Sequence, residues 1–232
     1  MVNSAQSKIG NNMIAQIAQN LPALLKARRD FSALYPADMV ARSGASYKPG
    51  DVQPDAVGQS ASSGLAVGRF TLKLWDREYW VGYPHGHVVE AHGGREPDSA
   101  VQIVLLHYLI HADGMRPCGE WIAFRELPGG HAYDGAFQRE TNQRLAQAFG
   151  ARPEVVLQNA RLLGGKPLGY GDASFSFLTL PHLALAVILH REDEEFSAAA
   201  NVLYDAVAAH CLPTEDLAVV GELLVDRLTG KV

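Results

Sequence analysis

The chain is short of cysteine, of basic clusters and of long apolar runs, and each shortage removes a class of function. Its 232 residues hold two cysteines, Cys118 and Cys211. They lie far apart and in no metal-like spacing, so reduced thiols are expected rather than a disulfide framework. No iron–sulfur cluster motif is present. Lysine and arginine are scattered through a chain of net charge −5, and Lys26-Ala27-Arg28-Arg29 is only a short cluster at a helix end. Nucleic acid is therefore not an expected partner, because binding it requires dense neutralisation of phosphates. Apolar runs such as residues 183–189 are too short to cross a bilayer, and the first ten residues are polar rather than leader-like. A cytoplasmic protein with no membrane partner is the expectation. G-x-S-x-G, H-E-x-x-H, C-x-x-C and G-x-x-x-x-G-K-[ST] are all missing, and no G-x-G-x-x-G follows a strand. Those absences argue against the common hydrolases, metalloproteases, nucleotide-binding loops and dinucleotide folds.

What is present is the composition of a folded protein with a sizeable core: 47% hydrophobic and 19% charged residues. Met13, Ile14, Ile17, Leu21, Leu24 and Leu25 recur at helical spacing over residues 11–30, with Pro22 predicting a kink or two short helices. A short helix is expected over 36–42. Residues 43–68, rich in Gly, Ser, Pro and Ala, read as a loop, more readily mobile than ordered over a site. "RFTLKLW", "REYWVGY" and "HVVEA" alternate as the strands of a meander. A helix over 98–114, a short strand or loop at "GEWIAFRELPGG" and helices near 137–149 and 154–163 follow. "ASFSFLTLP" and "LALAVILH" then read as a hairpin whose second strand is buried on both faces. Two closing helices are predicted at 195–210 and 215–228. The fold class is α+β: an antiparallel meander and a hairpin packed against several helices in a single globular domain. Its parts are an N-terminal helical segment (1–42), a flexible loop (43–68) and a core (69–232).

The region 190–217 concentrates Glu192, Asp193, Glu194, Glu195, Asp205, Glu215 and Asp216 with His190 and His210. On a helix over 195–210, Phe196, Ala199, Ala200, Leu203, Val207 and His210 share one arc, with Asn201 and Asp205 opposite. The structural reading makes the carboxylates first-turn residues at positive helix ends, with Thr214 capping the last helix. The functional reading rests on how few polar groups that helix carries. If both its faces are buried, Asn201 and Asp205 need interior partners, and His210 beside Glu215 or Asp216 is an oriented imidazole suited to acid–base work or metal binding.

Trp121, Arg125, Asp172, Asn201, Asp205 and His210 are then the candidate ligand-binding residues. Trp121 offers a stacking face, and Arg125 offers a bidentate grip on an anion unless it simply pairs with Glu120 or Glu126. His210, Glu215 and Asp216 are the catalytic candidates, and Asp193, Glu194, Glu195 and His210 the candidate metal ligands. His107 and His111 have a chelating spacing but read preferentially as a surface pair near a helix C-terminus. His85 and His87 on a hairpin tip, with His92 after them, have only Glu90 as a further donor. The leading functional expectation is binding of a small anionic ligand or cofactor, with a metal or metal-containing cofactor admitted and a homo-oligomer allowed. The alternatives are an enzyme using a His/carboxylate acid–base pair and a protein-interaction subunit without a pocket.

"ARSGASY", "LLHYL", "GEWIAFRELPGG", "LGG…GDASFSF", "EDEEFSAAANVLYD" and "HCLPTEDLAVVGELLVDRL" together resemble the uncharacterised prokaryotic family called domain of unknown function 3786. The resemblance runs from about Ala41 to Leu228. It implies no transferable activity. Members of that family occur largely in anaerobes, some fused to iron–sulfur modules, but the absence of a cysteine cluster leaves no such group implied in this chain. The chain departs from the family pattern at Ser197 and Ala198 (usually proline), at His182 (usually arginine) and at His190 (commonly tryptophan). All four border the candidate site, so a ligand shared with the family would be held differently here.

Overall fold

Alternating side chains dictate the first sheet. In a computed structural model that describes residues 20–50 and 67–230, a helix α1 is described over residues 20–32, followed by α2 (Pro36–Ser43) and strands β1 (Ser46–Pro49), β2 (Gly68–Leu74), β3 (Arg77–Tyr83) and β4 (His87–Glu90). The strands pair antiparallel in the order β1-β2-β3-β4. Phe70, Leu72, Leu74, Tyr79, Val81 and Tyr83 alternate inward and are buried. Residues 46–49, expected within a loop, are instead the edge strand β1. Tyr47 supplies the reason, since its ring lies 4.8 Å from that of Phe70 and so joins the aromatic core. The remainder of the predicted loop, at 51–66, and the 11–19 part of the predicted N-terminal helix lie outside the described residues.

The helix α3 (Ser99–His111) forms as expected and is apolar nearly all round, with Val104, Leu105, Leu106, Tyr108 and Leu109 at 1% exposure or less. A helix of that kind must be enclosed. α2 and the last helix pack against it, and α1 is tied to it by Arg28 Nη2 donating to Gln102 Oε1. Next come β5 (Trp121–Ala123), α4 (Asp134–Glu140), α5 (Asn142–Phe149), α6 (Val156–Leu162), β6 (Lys166–Pro167), β7 (Ala173–Leu180), β8 (Leu183–His190), β9 (Ala199–Asp205) and α7 (Thr214–Thr229). The second sheet is antiparallel, in the order β5-β9-β8-β7-β6. Its inner face, including Phe175, Phe177, Leu185, Val187, Leu189, Val202 and Tyr204, is buried, with α5 packed on β8 and β9 and Tyr204 Oη donating to Leu217 O of α7. The sheets meet at Trp75, a non-glycine residue at φ 53°, held there by its backbone N–H on Thr179 O and its Nε1–H on Thr179 Oγ1, both 3.1 Å. Buried side chains from both sheets form one continuous core.

Two predictions are corrected here. The helix expected over 137–149 is broken at Thr141 into α4 and α5. Its hydroxyl donates back to Phe137 O, and the next residue, Asn142, uses Oδ1 to accept from Val202 N at 2.9 Å. The helix expected over 195–210 is instead β9, then a turn of 3-10 helix at Ala208–His210. Its alanines suit a helix locally. However, β8 exposes a full ladder of backbone groups, and pairing from Leu185↔Tyr204 to His190↔Ala199 satisfies them. Ala200, Val202 and Tyr204 then alternate into the core.

Candidate functional site

The densest titratable chemistry lies where the end of α3 meets the segment leading into α7. Pro213 stands at the N-cap of α7 and Asp216 in its first turn, where the positive end of the helix dipole favours a carboxylate. Asp216 Oδ2 lies 2.6 Å from His107 Nδ1, with the two side chains 11% and 22% exposed. A carboxylate only accepts, so Nδ1 is the ring nitrogen that donates and Nε2 is the one left outside the contact. His111, one turn along α3, has its ring 5.5 Å from that of His107 at 75°. Partial burial, and then the neighbouring His107, hold its imidazole below the usual value. On α1, Lys26 and Asp30 pair at 2.6 Å and act electrostatically on His111.

A second His–Asp link runs antiparallel to the first. His210 Nδ1 lies 2.6 Å from Asp113 Oδ2, and Asp113 N donates to His210 O at 3.2 Å. Met115 N–H and then His210 hold the Asp113 carboxyl below its ordinary value. Between the links, Tyr108 Oη donates to Ser43 O at 2.7 Å and accepts from His182 N at 2.9 Å. Burial pushes that phenol well up. His182 Nδ1 donates to Arg42 O at 3.1 Å, at the negative end of α2. Gly44, at φ 68°, lets the ring come this close, because a Cβ there would lie 2.9 Å from His182 Nε2. Cys211 donates its thiol proton to His182 O, and burial pushes the thiol up to about 12.

The residues singled out from sequence are not gathered into one pocket. Asp205 is 1% exposed but saturated: Oδ1 accepts from Cys118 N and Val207 N, and Oδ2 accepts from Gly119 N at 2.7 Å. It holds the loop before β5. Asn201 is exposed on the outer side of β9, so the two-faced burial inferred from a helix does not arise. Trp121 is half-buried opposite Asp205, and Arg125 is exposed. Glu126 accepts from Ala123 N at 2.7 Å. Asp172 is exposed and accepts from Arg191 N at 2.8 Å.

Asp193 closes a turn by accepting from Glu195 N and Phe196 N, and Glu194 and Glu195 are exposed beside it. That loop and His210 are at opposite ends of β9, roughly 20 Å of strand apart. The carboxylates of residues 192–195 therefore meet no helix dipole, whereas Glu215 and Asp216 do lie in the first turn of α7; the carboxylate that faces His210 is Asp113, with Asp216 facing His107 and Glu215 exposed. Thr214 does not cap α7; its hydroxyl donates to Pro128 O at 2.7 Å.

Among the described residues no three His, Cys, Asp or Glu side chains converge as metal ligands, and no helix is long and apolar enough to cross a membrane. A groove of about 610 Å³ lies along α6, lined by Glu154, Val155, Leu157, Gln158, Arg161 and Leu162. A hollow of about 260 Å³ involves Arg77, Glu90, His92 and Arg95. Neither includes a residue of the α3–α7 junction. The sequence profile described as Domain of unknown function (DUF3786) matches residues 36–227.

The chain belongs to the DUF3786 family. No curated protein and no solved structure matches it. The DUF3786 segment contains both His–Asp links, whereas Lys26 and Asp30 precede it. Stretches that carry the family resemblance meet at the junction. Asp205 of "NVLYD" grips the backbone just before "EWIAFRELPGG", and Thr214 of "HCLPTEDL" bonds to Pro128 within it. Asp113 as partner of His210, and His107 as partner of Asp216, were not legible beforehand, because those pairs join positions 97 and 109 residues apart.

Proposed function

We propose that this DUF3786 chain binds a small polar ligand at the α3–α7 junction, with His107 as the central contact and His111 beside it. The observation that carries this reading is the 2.6 Å contact of His107 Nδ1 with the nearly buried Asp216. A pair taken this far out of water adds little net stability over an apolar pair of the same size. What it does supply is a ring fixed in tautomer and direction, with Nε2 left to meet a ligand. The relocated site keeps the expectation of ligand binding while moving it off Asn201, Asp205 and Arg125. A thermal-shift screen of the purified chain against small carboxylates, phosphates, amines and thiols tests it. At least one compound is expected to raise the melting temperature of the wild type and not that of Asp216→Asn. If no compound acts, or every hit acts equally on both proteins, the reading fails.

The same tautomer favours a second reading, in which His107 Nε2 serves as a general base toward the bound ligand. Chemical turnover of a hit compound that disappears in folded Asp216→Asn is the result expected from it.

A further inference from the structure

We infer that His107 and His111 form a two-nitrogen clamp for a borderline divalent metal ion of the Zn²⁺ class; the inference rests on the ligand-binding reading above and names its ligand chemistry. Residues four apart on a regular helix share a face, and α3 is regular through both. An ion about 2.1 Å from an imidazole nitrogen lies about 3.2 Å from the ring centre, so two rings on one tetrahedral ion have centres about 5.2 Å apart. The rings here are 5.5 Å apart. Asp216 on Nδ1 of His107 is the carboxylate support that metal-binding histidines commonly have, fixing the tautomer with Nε2 as the donor. His111, one turn further along the same face of α3, supplies the second imidazole.

His85 and His87 provide a built-in contrast. Their rings are 6.4 Å apart, and no carboxylate is bonded to either ring among the described residues. With two protein donors and no third side chain converging among the described residues, the remaining positions on the ion are left to water or to a bound molecule. That is the coordination of an exchangeable, ligand-capturing ion rather than a structural one. Asp30 does not complete the set, because it is engaged by Lys26 at 2.6 Å.

The test is calorimetric titration of ZnCl₂ into the untagged full chain after chelator stripping. One equivalent is expected to bind. His107→Ala and His111→Ala should each weaken binding at least tenfold, and Asp216→Asn by about 10–100-fold. His87→Ala should leave it unchanged. ¹⁵N-histidine spectra of the wild type provide a readout that does not depend on any variant folding: Zn²⁺ should shift the His107 and His111 ring nitrogens first. Absence of uptake by folded wild type overturns the inference, as does uptake that follows His85 and His87 or is indifferent to His107 and His111. If an organic compound binds in a manner sensitive to Asp216→Asn while Zn²⁺ does not bind, the metal clamp alone falls. If neither kind of ligand depends on Asp216, the binding reading falls with it.

Discussion

The α3–α7 junction has an inner and an outer side built from the same kinds of group. Inside lie Cys211, Asp205 and the His107–Asp216 pair; outside lie Cys118 and the His210–Asp113 pair. Both His–Asp contacts measure 2.6 Å, yet the outer side chains are 49% and 46% exposed against 22% and 11% inside. Equal distance does not mean equal consequence. Water and salt screen the outer pair, so its strength as an ion pair is small. The inner pair acts through a weaker dielectric, so its geometry is held more firmly and its disruption costs more.

The largest expected difference between the two sides is thiol reactivity. With Cys211 raised from 9.0 to about 12, its thiolate fraction at pH 8 falls roughly a thousandfold, before its burial is counted. A maleimide should therefore label the exposed Cys118 in the folded chain and reach Cys211 only after denaturation, as read by mass spectrometry. Equal labelling of both thiols would erase the contrast.

Stability comes next. Asp205→Ala orphans the Cys118, Gly119 and Val207 N–H groups and should cost about 2–4 kcal/mol, and Asp216→Ala about 1–3 kcal/mol. Asp113→Ala should cost under about 1 kcal/mol. Urea denaturation measures all three, and a reversal of that order breaks the comparison.

The smallest effect is on pH dependence. The folded chain holds His111 below 6.5, so the unfolded chain takes up that proton first as pH falls, and stability declines. This contribution is full above about pH 6.5 and is lost as pH falls through the folded value. Asp113 is also depressed, so its contribution is intact above about pH 3.8 and is lost only in stronger acid. Melting temperatures of the wild type should thus begin to fall near pH 6.5, and His111→Gln should flatten that first decline while leaving the acid one.

Legibility followed the range of the interactions involved. β2, β3, β7 and β8 could be read because alternation and turn residues are local, as could α2, α3 and α7 through the residues at their ends. Ala199–Asp205 misled because Ala200, Leu203 and Val207 fit a helical stripe while Ala200, Val202 and Tyr204 fit a strand equally well. The unpaired edge of β8 decided between them, and no window of residues 195–210 contains it. The same confusion displaced the site. His210, Asp205 and Asp216 were noticed as chemical groups, but His210 was given Glu215 or Asp216 as its partner and Asp205 an interior side chain or ligand. In the fold Asp205 binds backbone, His210 binds Asp113, and Asp216 binds His107. His107 was set aside as a surface residue, since a helix C-terminus explains a histidine without any carboxylate nearby.

By itself the sequence determined the class of fold and most element positions, because each depends on neighbours within a few residues. Tertiary structure alone decided that 199–205 is strand, that Asp205 is a backbone anchor, and that two histidines of the junction are each oriented by an aspartate about a hundred residues away. The physical reason is that hydrogen-bond partners and burial are properties of chain crossings, and a crossing leaves no mark in the local spacing of residues.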